Sequence, residues 1–257
     1  MLSKNKVSEI SALHQKKYRL SSGLFILEGE KIVDELLESS WETVELIATA
    51  ELFHKYESLA DNIQLAEPYL FAKISSLKTP SGILAIAKQK HYSIEEIEVK
   101  NKFTLCLDGV RDPGNLGTII RIADWFGIQN IICSEDTVDV YNSKTIQSTM
   151  GSFLRVPVIY AGLVQFLTTV KNQQVPIFGA VLNGVDVYEK RGITDGVIVM
   201  GSESHGLSAE VLECIDEPIT IPSKRLQFSA DDVSQQIDSL NVAIATSVIC
   251  AVFAGQK

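Results

Sequence analysis

The chain has 257 residues, of which 46% are hydrophobic, and its formal net charge is −9. That length exceeds one average domain and falls short of two large ones, so a medium domain with a smaller companion is expected. An acidic total sits poorly with nucleic-acid binding, which needs Lys and Arg at phosphates; the charge is nonetheless uneven, with 11 basic and 12 acidic side chains in residues 1–90 against 12 and 20 in residues 91–257.

The first ninety residues read as a helix ("SEISALHQKK"), a strand ("LFILEG"), an amphipathic helix ("EKIVDELLES"), a strand ("TVELIATA"), a further helix and, after "TPSG", a closing strand ("ILAIAK"). Lys4, Lys6, Lys16, Lys17, Arg19 and Lys31 outnumber the acids in the first 31 residues and point to a local basic patch. The polar stretch "QKHYSIEEIEVKNK" offers few core residues and marks residues 91–102 as a linker.

A second unit covers residues 103–257. It begins with strand "FTLCLD", a loop, a helix through "TIIRIADWFG", strand "NIIC" and a helix around "NSKTIQSTMG". Strand "VPVIY", helix "GLVQFLTTV", strands "PIFGAVL" and "GVIVMGS", helix "SAEVLECI", strand "EPITI" and a last helix "SLNVAIATSVICAVFA" follow. Alternation of this kind predicts an α/β fold with a mainly parallel sheet, whose ligands collect at the carboxyl ends of the strands. Cys106, Cys133, Cys214 and Cys250 are widely spaced in apolar surroundings and read as reduced core residues, with no metal site. The start "MLSKNKVSEI" has no apolar signal region and no stretch is long enough to span a bilayer, which gives the expectation of a cytoplasmic protein away from membranes.

Three loops carry chemistry. In "DGVRDPGNLGTIIRIADWFG", Pro113 and Gly114 make a turn, Asn115 or Asp112 can cap the helix, and Arg121 lies off the apolar face formed by Leu116, Ile120 and Ala123. A surface Arg paired with Asp124 is the ordinary alternative. In "VMGSESHGLS", Gly201 and Gly206 allow close backbone approach and Glu203 between them can orient a hydroxyl or amine, or simply be solvated. After "ITIP", Ser239 and Asn241 stand at the start of an otherwise apolar helix, where both serve as caps. No Gly-x-Gly-x-x-Gly and no P-loop occurs, which counts against a dinucleotide-binding or P-loop enzyme and leaves a nucleotide-dependent metabolic α/β enzyme as the lesser rival.

All three loops in this order resemble the SpoU (TrmH-like) branch of the SPOUT RNA 2′-O-ribose methyltransferases. The first motif is matched by Asn115, Gly117 and Arg121, the second by Gly201, Glu203 and Gly206, and the third by Ile221, Pro222, Ser239, Leu240, Asn241 and Val242. "QKKYRLSSGLFILEGEKIVDELL" resembles the small ribosomal-protein-like domain that precedes the catalytic one in this family.

The resemblance implies a C-terminal SPOUT domain with a trefoil knot, residues 1–90 as an RNA substrate-binding domain, and methyl transfer from S-adenosylmethionine to a ribose 2′-hydroxyl. It implies a homodimer acting on RNA, with ribosomal RNA favoured over transfer RNA and no role for DNA; a catalytically inactive RNA-binding module of the same fold is the alternative. Catalytic roles fall on Arg121, Asn115, Glu203, Ser239 and Asn241, and cofactor contacts on Gly201, Ile221, Leu240, Leu182 and Asn183. Arg121 would hold a phosphate and steady the developing alkoxide, since a guanidinium is a poor base; some schemes for the family make it the base. Two departures stand out: the 16 residues between Pro222 and Ser239 are more than most members carry, and Gln147 stands where many have Arg.

Overall fold

The computed structural model describes residues 2–190, 192–223 and 239–254. Two compact units emerge, Met1–His91 with Asp139–Arg155, and Tyr92–Val138 with Val156–Lys257.

The first unit runs α1 (Lys4–Ala12), α2 (Lys16–Ser22), β1 (Leu24–Glu28), α3 (Glu30–Glu38), β2 (Thr43–Ala48), α4 (Ala50–Tyr56), β3 (Ile63–Leu65), α5 (Pro68–Ile74) and β4 (Ile83–Lys88). Its sheet has the order β1-β4-β2-β3, with β4 antiparallel to both neighbours. Where the sequence suggests one helix through "SEISALHQKK", the structure has two, broken at residues 13–15. The cause is Arg19. Its Nη1 donates to the carbonyls of Leu13 (2.9 Å) and His14 (2.8 Å), which a continuous helix would have used itself. Its Nη2 and Nε donate to Asp139 Oδ2 at 2.6 and 3.1 Å, so Arg19 is buried and belongs to the core, not to a basic patch.

The second unit opens with residues 92–102, which hold more apolar weight than their polar composition suggests: Val99 is buried, and Tyr92, Ile94 and Ile97 pack against the main core. The chain continues through β5 (Phe103–Asp108), α6 (Pro113–Phe126) and β6 (Ile131–Cys133). Residues 139–155, assigned to the first unit, contain α7 (Ser143–Thr149). There Phe153 and Tyr141 close on Phe25 and Trp41, the Trp41 indole donates to Leu154 O (3.0 Å), and Gln147 Nε2 donates to Glu28 O at 2.5 Å. Gln147 thus serves packing in this chain.

Next come β7 (Val158–Tyr160), α8 (Leu163–Asn172), β8 (Ile177–Asp186), β9 (Gly196–Gly201), α9 (Ala209–Leu212), β10 (Glu217–Thr220) and α10 (Val242–Phe253). Six strands form one sheet in the order β10-β8-β9-β5-β6-β7, every pairing parallel. Leu105, Cys106, Leu107, Val197, Ile198 and Val199 are all at 0% exposure, which explains strands that read as unbroken apolar runs: both faces are covered. Burial drives the Cys106 and Cys133 thiols upward in pKa and pushes Cys250 up to about 12, so all three are inert core thiols at neutral pH. Among the described residues, no helix is long and apolar enough to cross a membrane.

Candidate functional site

Parallel pairing decides where the loops meet. β5 and β9 run side by side in a register that sets Asp108 opposite Gly201, so the loops leaving their carboxyl ends emerge as neighbours. Asp108 reinforces this by accepting from the Ser208 N–H (2.7 Å). The loop after β9 folds into a tight turn in which Ser202 and Gly206 exchange backbone hydrogen bonds of 2.9 Å each. Gly201 is required there, because a Cβ would lie 2.2 Å from the Gly206 carbonyl carbon. The turn presents Glu203 outward.

Helix α6 starts at Pro113, with the Asp112 carboxylate accepting from Asn115 N (2.9 Å), and ends at Gly127 in the left-handed region. Asp112 is therefore the cap, which leaves the Asn115 side chain for other work. Helix α10 begins one residue after Asn241, whose Oδ1 accepts from Ala243 N (3.0 Å) and Ile244 N (3.2 Å). The same amide's Nδ2 donates to Asn115 Oδ1 (3.0 Å) and Glu203 Oε1 (2.5 Å).

Three loops distant in sequence are thus tied by one side-chain amide, whose two N–H bonds and carbonyl are all engaged. Glu203 Oε1 also accepts from Val242 N (3.4 Å), where the positive end of α10 favours a carboxylate. Among the described residues, Asn115 Nδ2 and Glu203 Oε2 have no partner. Both residues line, with Gly109, Arg111, Ser204 and Val242, an open cavity of about 150 Å³. A free amide donor and a free carboxylate acceptor side by side are what orienting a hydroxyl requires.

Arg121 is exposed on α6, and among the described residues no carboxylate or carbonyl holds it. The pairing with Asp124 is not formed, so this guanidinium is free to meet an external anion. Ser239 is exposed and hydrogen-bonds no described residue. Thr220 Oγ1, at the end of β10 and next to Ile221, donates to Leu182 O (3.0 Å) in the middle of β8. Leu182 is 70% and Leu240 48% exposed. Such side chains fit the flat apolar face of a nucleoside.

Most of the departure in spacing, residues 224–238, lies outside the described residues. One residue that the spacing argument passed over, Arg111, lines the cavity and pairs with Asp136 (2.9 Å). The Ser134 hydroxyl first, and Arg111 second, hold the Asp136 carboxyl below its ordinary pKa. Nothing in the sequence pattern distinguishes Arg111 from a solvated Arg. Among the described residues, no cluster of His, Cys, Asp or Glu could hold a metal ion.

Compared with known proteins, residues 102–251 match the SpoU rRNA Methylase family and residues 4–85 match the MRM3-like substrate binding domain. The chain is 31% identical over 247 residues to the 23S rRNA (guanosine(2553)-2′-O)-methyltransferase RlmP of Bacillus subtilis, covering 95% of this chain and 94% of that protein. A TrmH-family structure from Porphyromonas gingivalis superposes with a TM-score of 0.86 at 34% identity, over 99% of both chains. An AdoMet-bound rRNA methyltransferase from Sinorhizobium meliloti superposes at 0.83 with 28% identity, over 98% of this chain and 94% of that one.

Proposed function

The chain belongs to the SpoU rRNA methylase family, and from that premise we propose that its Asn115–Glu203–Asn241 cluster holds the ribose of a ribosomal RNA while Arg121 carries the phosphate. The protein is an S-adenosylmethionine-dependent RNA 2′-O-ribose methyltransferase acting on ribosomal RNA. The observation that carries the site assignment is the hydrogen-bonded junction itself, in which Asn241 fixes Asn115 and Glu203 and leaves one donor and one acceptor free at a cavity.

S-adenosylmethionine, when bound, supplies an electrophilic methyl on a sulfonium. Gly201, Ile221 and Leu240 would hold it, with Leu182 and Asn183 at the edge. Exposed Leu182 and Leu240 offer apolar cover, while the missing side chain of Gly201 lets the Ser202–Gly206 turn close against it. Asn115 Nδ2 and Glu203 Oε2 would orient the ribose hydroxyl, and fixing that oxygen in line with its target supplies several kcal/mol of the barrier reduction. Arg121, with no partner among the described residues, would grip the adjoining phosphate and oppose the negative charge that grows on the oxygen. Ser239, exposed just before α10, would complete the set as a hydroxyl offered to the RNA.

The reading extends to the threading of the C-terminal segment into a trefoil knot, which family membership supports, and to a cytoplasmic enzyme, which the buried thiols support. It also extends to a homodimer. Helix α10 is apolar nearly all round, burying Ala243, Thr246, Ile249 and Cys250 inward while Ile244 stays 56% exposed, and on α6 Trp125 is 85% exposed. Light scattering is expected to give twice the chain mass; an active monomer would remove this part.

The site assignment is tested by Arg121→Ala with 23S rRNA transcript and radiolabelled S-adenosylmethionine. Turnover is expected to fall by ~10²–10³-fold, the effect of losing one donor aimed at a developing oxyanion, with cofactor affinity unchanged by calorimetry. Near-normal turnover would refute the assignment.

A further inference from the structure

The first unit has two faces of opposite charge. Helices α1 and α5 pack on one side of its sheet through Val7, Ile10, Leu70, Phe71 and Ile74. Helices α3 and α4, joined by the Tyr56 hydroxyl donating to Asp34 Oδ1 (2.7 Å), cover the other. Helices α1, α2 and α5 carry six cations and one carboxylate, whereas α3 and α4 carry two cations and five carboxylates.

Pairing sharpens the contrast. On the acidic side Lys55 is taken up by Glu30 (3.0 Å) and Asp34 (3.1 Å). On the basic side Arg19 is buried on Asp139 and Lys6 reaches the buried Glu45 (2.8 Å), but exposed Lys4, Lys16, Lys17 and Lys73 have no carboxylate partner among the described residues.

Two aromatic rings stand among these lysines. Tyr18 is 41% and Tyr69 65% exposed. Lys17 Nζ lies 4.7 Å from the Tyr18 ring centre and Lys73 Nζ 5.9 Å from that of Tyr69. The two pairs sit on adjoining elements, because Ser11 Oγ donates to Lys73 O (3.1 Å) and His14 Nε2 bonds Ile74 O (2.9 Å), which seats the α1–α2 turn against the end of α5.

We infer that the α1–α2–α5 face receives a single-stranded segment of the RNA substrate, its bases stacking on Tyr18 and Tyr69 and its phosphates lying on Lys16, Lys17 and Lys73. Cations without a carboxylate partner, set beside exposed rings, are the combination that single strands use, since every base has a face to stack and every linkage a charge. The α3–α4 face repels the same polymer. The inference rests on the chain being an RNA methyltransferase and adds which surface of the substrate-binding unit does the holding.

The test measures binding of a fluorescein-labelled 12-mer oligouridylate to the full chain by anisotropy across a salt series. Tyr18→Ala with Tyr69→Ala is expected to weaken binding roughly tenfold or more, while the double Phe variant keeps it. Lys17→Ala with Lys73→Ala is expected to lower the slope of log affinity against log salt by about 1.4, or 0.7 per lost phosphate contact. Cofactor affinity, read by calorimetry, stays constant in every variant and certifies the second unit. If both doubles bind like the wild type, the surface is wrong; if only the lysines matter, the face attracts anions such as an acidic peptide without reading bases, and the inference also falls. A wild-type chain that binds neither this probe nor 23S rRNA would overturn the RNA methyltransferase reading itself, and the surface with it.

Discussion

The two units treat charge in opposite ways. Among the described residues, the buried charged side chains are Arg19, Glu28 and Glu45, all in the first unit, whereas the buried polar residues of the second are Thr104, Thr137 and Thr246. A four-stranded sheet with short helices has little apolar area to spare, and its long connections are fixed by charges whose hydrogen bonds are satisfied. Glu28 illustrates this: its two oxygens gather Ser75 Oγ (2.6 Å), Ser76 N (3.1 Å) and Ser81 N (3.3 Å), organising the turn before β4 with no cation present. The second unit has a six-stranded parallel sheet whose core holds no buried charge among the described residues, its buried polar side chains being threonines, and Asn115, Glu203 and Asn241 stand in the loops and helix starts beyond the strand ends. Charged groups make the fold in one unit; in the other, polar groups make the junction proposed as the site.

The largest test of that contrast is Arg19→Ala. The change strands Asp139, whose side chain is only 15% exposed, and frees the carbonyls of Leu13 and His14. Breaking a buried pair by removing one member costs about 3–5 kcal/mol, and the first unit is expected to lose that much in a denaturant titration while calorimetric cofactor affinity holds. Replacing both partners by apolar residues, Arg19→Met with Asp139→Leu, should recover much of the loss, because desolvation of the two charges is then avoided. Equal destabilisation of cofactor binding in the single variant would mean that the units do not divide the labour as described.

Legibility in the sequence follows the same line. The second unit's strands are visible because burial on both faces forces unbroken apolar runs such as "TLCL" and "VIVM", and its loops because motif residues cluster at the ends of those runs. The first unit is harder to read. Arg19 looks like one more member of a basic stretch, and only its hydrogen bonds to Leu13, His14 and Asp139 reveal why the helix breaks at residues 13–15. Asp139 lies 120 residues away, a separation no local pattern can bridge. Residues 63–65 and 68–74 form elements too short to show a period, and residues 92–99 hide Val99 among charges. In the site, Asn241 is legible as a cap; that its Nδ2 also ties Asn115 to Glu203 depends on the β5–β9 register, which sequence spacing does not carry.

A smaller effect on stability, but one aimed at the other half of the contrast, is expected from Asn241→Ala. The substitution removes the α10 cap, worth about 1 kcal/mol in loss of a side-chain acceptor at a helix start, and it removes both donors that hold Asn115 and Glu203 in place. If polar groups in the second unit serve the site and not the fold, stability should drop by no more than that cap, while turnover on ribosomal RNA falls by ~10²-fold as Asn115 and Glu203, the groups proposed to orient the ribose, lose their fixed geometry. Asn241→Asp separates the two roles. An aspartate still accepts from Ala243 N and Ile244 N, and so keeps the cap, but it has no N–H to give and sets a second carboxylate against Glu203. That variant keeps the cap at the cost of a repulsion with Glu203 that salt screens, so at high salt it should melt above the alanine variant and remain as inactive. Recovery of activity in the aspartate variant would show that Asn241 acts through helix α10 alone, and would leave the junction of the three loops without a part in positioning the ribose.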